Sequence, residues 1–569
     1  ALEGTPLRVP KLRRFDSADY FSRHQQQKEK APAASLEERL KEEEERPEDG
    51  LDDDDDEATD EETSEEETSD DDATDASLAV VFVGLLVRYA VGLHPYSGEN
   101  SPPRFGDYEA HRHWMELTLH LPVARWYAYD LEYWGLDYPP VMAYVSKGLG
   151  VASRAFDAES VAFESSRGYE TPEHRAFMRG TVLFLDFFLV VLPLYVTHRT
   201  KPSVLAVALS SPVLLLVDHG HFQYNCLPVG FTLWTAVALR AERPGLAAVA
   251  FSLAVNSKQT ALYYAPAVFF ELLARSSSSV RTFLRVATAT SLTFAAVWAP
   301  LLVQGGAWKD ALVRSFPVDR GVFEDKVGNL WYVAQVFLRA RDALDQKTLL
   351  HLAALLTFLA AFPLQAYRCL VLRRRRRASE DSFSLALHAS ALAFFLFSYH
   401  VHEKAILLPL APLLALRDPR HVPYLALFGL VAAFSILPLL AFEGLRTAYA
   451  ATLVLHLLLL RRLLYVETSF HAPRRVALGL VLFAGAHGLP LFCKPPDRFP
   501  DFFPALVALA SAAFFAAAFL LAAAFLLLYP AGIPPGARLS RASGRKSAGG
   551  AASGAGLPPQ QRPRDKKND

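Results

Sequence analysis

The chain has 569 residues, 51% of them hydrophobic, and a formal net charge of −2. That length is large for one soluble domain, and the near-zero charge is a cancellation: residues 1–76 carry a net −18 and the remainder a net +16. Three widely separated cysteines (Cys226, Cys369 and Cys493) exclude a disulfide framework and a cysteine zinc spacing.

Residues 1–76 form an acidic tail. Its stretch 43–76 is mostly Asp, Glu, Ser and Thr and buries too little to offset ordering, so disorder is predicted. The run DDDDD (52–56) reads as a like-charge solvated tail rather than a metal site. TSEEETSDDD (63–72) is an expected substrate of an acid-directed kinase. No cleavable signal pattern precedes the first apolar run, SLAVVFVGLLVRYAVGL (77–93), which is expected to act as a signal anchor.

Apolar segments then recur near 77–93, 178–198, 203–217, 223–239, 245–256, 259–273, 283–303, 347–372, 383–399, 404–416, 422–441, 445–460, 475–492 and 503–529. About fourteen spans are expected, giving an all-α polytopic membrane protein. Several are shorter than the ~20 residues of a perpendicular span, a length tolerable where a helix lines a protein cavity. The alanine-rich stretch 505–524 allows close helix packing. The lipid bilayer is an expected partner, and nucleic acid is not.

Lys and Arg in the short loops set the orientation. HRTK (198–201), RAERP (240–244), RSSSSVRTFLR (275–285), RRRRR (373–377), RDPR (417–420), the basic residues of 461–475 and the basic tail 530–569 collect on one side, which is therefore cytoplasmic. The other side receives 94–177, DHGHF (218–222), the NSK break (256–258), 304–346, HVHE (400–403), FEG (442–444) and KPPDRFPD (494–501). His, Asp, Glu, Trp and Tyr concentrate there. The ending KKND (566–569) matches a dilysine signal, so the expected setting is the endoplasmic reticulum membrane, with both termini cytosolic.

FGDYEAHRHWMELTLHLPVARWY (105–127) places Asp107, His111 and Trp114 on one helical face. Asp107 is either the N-cap of an amphipathic interfacial helix or a carboxylate held as a general base. In YWGLDYPP (133–140), Pro139-Pro140 end any preceding helix and set Asp137 in a rigid aromatic turn. Its aromatics, Trp134 and Tyr138 among them, are either an interfacial belt or a sugar grip. DHGHFQYN (218–225) and YHVHEK (399–404) each carry paired histidines, but both pairs are H-x-H and neither resembles a known zinc motif. His402, Glu403 and Lys404 read better as contacts to an anionic, hydroxylated ligand, with a snorkelling lysine as the alternative. Lys258 in NSKQ (256–259) interrupts an apolar stretch, where an ionisable group is a functional candidate. FPVDRGVFEDKVGNLW (316–331) alternates charges between aromatics and is either a solvated loop or a segment whose Arg320 or Lys326 neutralises a phosphate.

Together GDYEAHRHWMELTLHLPVARWY, EYWGLDYPPVMAY, SRGYETPEHRAFMR, DHGHFQYN, FPVDRGVFEDKVGNLW and HVHEKAILLPL resemble, in order, the eukaryotic endoplasmic-reticulum glucosyltransferases that use dolichyl-phosphate glucose. The resemblance runs from about 77 to 529. GDYEA, YWGLDYPP and FPVDRGVFEDK favour the members adding the first α-1,3 glucose to the lipid-linked oligosaccharide. HVHEKAI is also compatible with the sister enzymes adding the second. The acidic tail departs from the family pattern.

The resemblance implies a GT-C fold with 77–529 as its catalytic unit and a lumenal active site. It implies a dolichyl-phosphate-glucose donor, a dolichyl-pyrophosphate-oligosaccharide acceptor and inversion at the anomeric carbon, with no cofactor or metal. Asp107 matches the catalytic aspartate. The expected substrate-binding set is Glu109, Arg112, His113, Trp134, Asp137, Tyr138, His221, Gln223, Lys258, Arg320, His402, Glu403 and Lys404. His111, Arg112 and His113 are expected to favour the charged form of Asp107. A transporter or lipid flippase is the alternative of another class, but it predicts internal repeats with midplane sites, and no half-to-half repeat is visible.

Overall fold

The computed structural model describes residues 64–316, 326–374, 379–468, 485, 487 and 493–532. Arg320, the tail before residue 64, the basic tail beyond 532 and nearly all of the segment expected at 475–492 lie outside them. Within the described residues the chain is helical, with short 3-10 and π turns and no strand.

Helix α1 (Ser64–Gly92) starts inside the stretch expected to be disordered. The loop 94–177 contributes α2 (Gly106–His120) and α3 (Pro140–Phe156). Pro139-Pro140 thus begins a helix, with Pro140 in the first turn where its missing N–H costs nothing. The buried residues of α3 (Met142, Ala143, Ser146, Gly150 and Ser153) recur at three- and four-residue steps, so α3 is amphipathic and packs its small-residue face on α2. At Gly150 a Cβ would lie 2.7 Å from the Met115 carbonyl oxygen, so the contact requires glycine.

Helix α4 (Pro172–His198) includes a π turn at Phe187–Val191. It is joined to α1 by a buried ion pair, Arg88 Nε to Asp186 Oδ2 at 2.6 Å. Two charges in membrane-crossing helices persist only when so matched. A second buried pair, Arg368 to Glu271 at 2.6 Å, joins Gln346–Arg374 to Ala265–Ser276.

Six described helices are long and apolar enough to cross a membrane: Asp71–Gly92, Pro172–His198, Val280–Leu302, Gln346–Arg374, Arg446–Leu464 and Phe502–Leu528. A seventh crossing arises if Pro202–Leu209 and Pro212–Gly220, bent by 52°, form one span. Among the described residues the other expected segments are shorter helices such as Cys226–Arg240, Pro244–Ser257 and Asp381–Phe397. Prolines explain several of the divisions. Pro202, Pro212 and Pro244 each stand at a helix start, cutting the apolar sequence into short pieces. These pieces share one continuous core that also holds Tyr108, Phe222, Phe395, Phe428 and Phe515.

Candidate active site

Gly106 sets the start of α2. Its φ is +64°, and a Cβ there would lie 2.5 Å from the Ser97 carbonyl oxygen, so only glycine fits the turn that aims Asp107. Phe105, not Asp107, occupies the cap position, and it makes no side-chain cap bond. The capping alternative for Asp107 is therefore overturned. Its carboxylate instead faces across the fold, a quarter exposed.

Three donors converge on Asp107 Oδ2. They are Lys404 Nζ at 2.6 Å, Gln223 Nε2 at 2.6 Å and His221 Nε2 at 2.8 Å. Oδ1 has no protein hydrogen-bond partner among the described residues. The His221 ring also donates through Nδ1 to Glu443, with both carboxylate oxygens at 2.7 Å. Lys404 Nζ lies 2.9 Å from His221 Nε2, so the ring sits between an ammonium group and two carboxylates. Lys258 Nζ donates to Gln223 Oε1 at 2.9 Å and Asn225 Oδ1 at 2.8 Å, and lies 4.6 Å from the Tyr138 ring centroid. Two ammonium groups and an imidazole thus surround one partly open carboxylate.

The shifts follow. Burial pushes the Asp107 carboxyl up, but the Lys404 ammonium and the His221 bond outweigh it and hold the group well below the usual carboxylate range. Burial opposes protonation of His221, yet Glu443 and Asp107 raise its pKa above the ordinary imidazole value. Burial, with Lys404 adding, draws Lys258 down to about 8 against the pull of Asp218, Asp107 and Asp137.

The expectation that His111, Arg112 and His113 keep Asp107 charged is corrected by the geometry. Burial lowers His111 to about 3, so it is neutral, and its ring packs against Trp114 and Tyr224. Arg112 is enclosed with Glu109 and Glu116: Nε donates to Glu109 at 2.7 Å, and Nη2 to Glu109 at 2.6 Å and Glu116 at 2.8 Å. Tyr133 adds a hydroxyl to Glu109 at 2.8 Å. His113 is buried between the rings of Tyr129 and Tyr133. With no exposed side-chain surface on Glu109, Arg112 or His113, these three brace α2. The indole of Trp134 donates to Arg104 O at 2.6 Å, and its own carbonyl accepts from Trp114 at 2.9 Å, joining the aromatic turn to α2.

The structure brings together Asp107, His221, Gln223, Lys258 and Lys404, with Tyr138 over Lys258. Asp137 lies near enough to act on Lys258. Glu403 precedes Lys404 in a 3-10 turn capped by the exposed His402, whose ring is 4.9 Å from that of His400. Arg320 lies outside the described residues. The H-x-H pairs do not form a joint cluster: His219 faces Asp186 at 3.4 Å and His221 faces Asp107 and Glu443. The residue that sequence reasoning missed is Glu443. Its only signal is an acid in FEG, between the helices Leu437–Phe442 and Arg446–Thr468.

The arrangement can take a proton at Asp107 while holding an anionic group against two lysines. A family model described as the ALG6, ALG8 glycosyltransferase family matches residues 81–522. Similar curated proteins include a probable dolichyl pyrophosphate Man9GlcNAc2 alpha-1,3-glucosyltransferase from Arabidopsis thaliana, 36% identical over 481 residues that cover 78% of this chain and 88% of that one. The dolichyl pyrophosphate Man9GlcNAc2 alpha-1,3-glucosyltransferase of Saccharomyces cerevisiae is 38% identical over 475 residues, 74% of this chain and 86% of that one. Its namesake in Gallus gallus is 35% identical over 481 residues, 76% and 93% of the two chains.

Proposed function

The chain belongs to the ALG6, ALG8 glycosyltransferase family, and from that premise we propose its donor, stereochemistry and catalytic groups. It is a multi-pass membrane α-1,3-glucosyltransferase that adds glucose to a dolichol-linked oligosaccharide. The proposed donor is dolichyl-phosphate glucose, and the accepting group is a mannose 3-hydroxyl on a glucose-free oligosaccharide. The catalytic unit is 77–529, flanked by the acidic segment 1–76 and the basic segment 530–569. Its loops 94–177 and 304–346 face the lumen of the endoplasmic reticulum.

In the proposed reaction the acceptor hydroxyl approaches Asp107 Oδ1, the oxygen left open by the protein. As the sugar oxygen attacks the anomeric carbon, Asp107 takes its proton and the bond from that carbon to the phosphate oxygen breaks. The electron pair leaves with dolichyl phosphate. Attack opposite the leaving group converts a β-linked donor into an α product. Phosphate is a stable leaving anion, so the second carboxylic acid of many glycosidases is unnecessary. Lys404 and Lys258 neutralise that anion.

A carboxylate held down by Lys404 is a weak base at rest. When the donor phosphate draws the Lys404 charge to itself, Asp107 becomes more basic at the moment its proton acceptance is needed. His221, fixed by Glu443, keeps the carboxylate aimed throughout. The observation that carries this reading is the convergence of Lys404, His221 and Gln223 on one oxygen of a partly exposed aspartate.

The test is glucose transfer by the purified full chain from dolichyl-phosphate glucose to acceptors bearing zero or one glucose. Transfer to the glucose-free acceptor supports the proposal. Transfer confined to the monoglucosylated acceptor would make this a second-glucose enzyme, and no transfer to either would overturn the reading.

A further inference from the structure

The motif DHGHFQYN (218–225) supplies His221 and Gln223 to the Asp107 carboxylate, and its other buried polar pair, Asp218 and Asn225, stands one bond behind them. Asp218 and Asn225 are 1% and 8% exposed, and polar groups so enclosed are kept where they are bonded. Between His221 and Gln223, Phe222 holds φ at +81°, a left-handed conformation that is costly for a bulky residue. Such a bend persists where the surrounding bonds over-determine it. One of them is the Asp218 backbone carbonyl, which accepts from the Gln223 N–H at 3.3 Å.

Both Asp218 side-chain oxygens accept. Oδ2 takes the Cys226 backbone N–H at 2.6 Å, and Oδ1 takes the Asn225 backbone N–H at 3.1 Å and Asn225 Nδ2 at 2.9 Å. The two backbone bonds cap the helix Cys226–Arg240, and the Asn225 side chain has no part in that cap. The orientation of an amide follows from its partners, and those of Asn225 agree. Nδ2 gives one proton to Asp218 and the other to Gln223 Oε1 at 3.1 Å, which leaves Oδ1 for the Lys258 ammonium at 2.8 Å. Gln223 Oε1 also accepts from Lys258, at 2.9 Å, so Nε2 is the end left for Asp107. The reverse orientation of Gln223 would set its NH2 group against two donors and its carbonyl against a carboxylate.

Lys258 is held from the same side. Gln223 and Asn225 take two of its three protons, and the third has no hydrogen-bond acceptor among the described residues. Burial and the Lys404 charge disfavour its ammonium form, and Asp218, Asp107 and Asp137 favour it. His111 also lies within its field. Replacing the Asn225 side chain leaves all of these groups in place and removes one acceptor from the ammonium.

We propose that Asn225 is a positioning residue for the transfer reaction: anchored on Asp218, it fixes which end of Gln223 meets Asp107 and aims the free proton of Lys258 at the departing anion. This rests on the roles given above to Asp107 and Lys258. Asn225 itself touches neither substrate nor the reacting carboxylate and acts through Gln223 and Lys258.

The test compares the purified full chain with Asn225→Leu and the milder Asn225→Ser by two readouts. The first is the pH midpoint for acetylation of the partly exposed Lys258 by a pulse of acetic anhydride, read by peptide mass spectrometry. An ammonium that loses an acceptor holds its proton less tightly, so this midpoint should fall by about one pH unit in Asn225→Leu. The second is steady-state glucose transfer, in which the KM for dolichyl-phosphate glucose should rise about tenfold while the acceptor KM stays put. The labelling readout does not depend on turnover. A lowered midpoint beside an Asp107→Asn variant that still transfers glucose would therefore sink the catalytic reading and leave the Asn225 contacts standing. A wild-type midpoint and donor KM in both folded variants, whether or not their unfolding temperature falls, would reduce Asn225 to a packing residue and overturn the proposal.

Discussion

Two charged clusters share α2 and behave as opposites. At its first turn Asp107 is a quarter exposed, and three donors crowd one of its oxygens while the other stays open. One turn on, Glu109, Arg112 and Glu116 are wholly buried and satisfy one another, with Tyr133, Ser160 and Ser166 completing the set. Residue type does not distinguish them, since both contain carboxylates and cations. The difference lies in exposure and in unused bonding capacity. A closed network contributes rigidity, whereas an open carboxylate under excess cationic charge can exchange a proton and receive an anion.

That contrast can be broken at either end. The largest effect is expected from Asp107→Asn, which should lower transfer by about 10²–10⁴-fold with little change in unfolding temperature. Near-normal turnover in that variant would remove Asp107 from its role. Arg112→Met should do the reverse. It leaves two buried carboxylates unpaired at a cost of about 3–5 kcal/mol, so folded yield and unfolding temperature should fall. A fully stable but catalytically weak Arg112→Met protein would mean that the closed network touches substrate after all.

Finer variants sharpen the comparison. Lys404→Gln removes the principal charge holding Asp107 down, so the carboxyl pKa should rise and the acidic limb of the pH–rate profile should move to higher pH. The donor KM should also rise. An unmoved limb would show that Lys404 does not control the base. Glu443→Gln should have the smallest effect, on the order of tenfold in rate, the worth of one charge-assisted hydrogen bond at ~1.5 kcal/mol. It should also change the pH dependence of stability. His221's raised pKa makes its contribution complete below the free imidazole value of about 6.5, and that contribution is lost as pH climbs through the folded value. In Glu443→Gln the dependence should flatten, and a curve identical to wild type would argue against the pair.

Much of this architecture is legible in the sequence. Hydrophobic runs located the helices because burial against lipid or core needs continuous apolar sequence, and the loops between them exposed the polar blocks. Asp107, His221, Gln223, Lys258 and Lys404 all stand beside breaks in the apolar pattern, although a helix cap for Asp107 and a snorkelling lysine for Lys404 also fit the sequence. The resemblance places Glu109 and Arg112 at substrate, because they share the block of Asp107. The spacing Glu109–Arg112–Glu116, at three and four residues, already describes a helical ion-pair ladder. Glu443 escaped because a solitary acid carries no periodicity, and its meaning comes from a histidine 222 residues away. Crossing lengths were misjudged where prolines such as Pro212 divide an apolar run that composition alone treats as continuous.

The bonds to Asp107 span 114, 116 and 297 residues of chain. During synthesis, then, the N-terminal third emerges with its carboxylate aimed by Gly106 and braced by Arg112, but with nothing to act against. Lys404 must be translated and inserted before the carboxylate meets its cation, and Glu443 before the imidazole is fixed. Contacts of such separation close slowly. On the proposed mechanism activity is therefore a late acquisition of biogenesis, and a ribosome stalled before residue 404 is expected to leave an inert fragment rather than an unregulated enzyme.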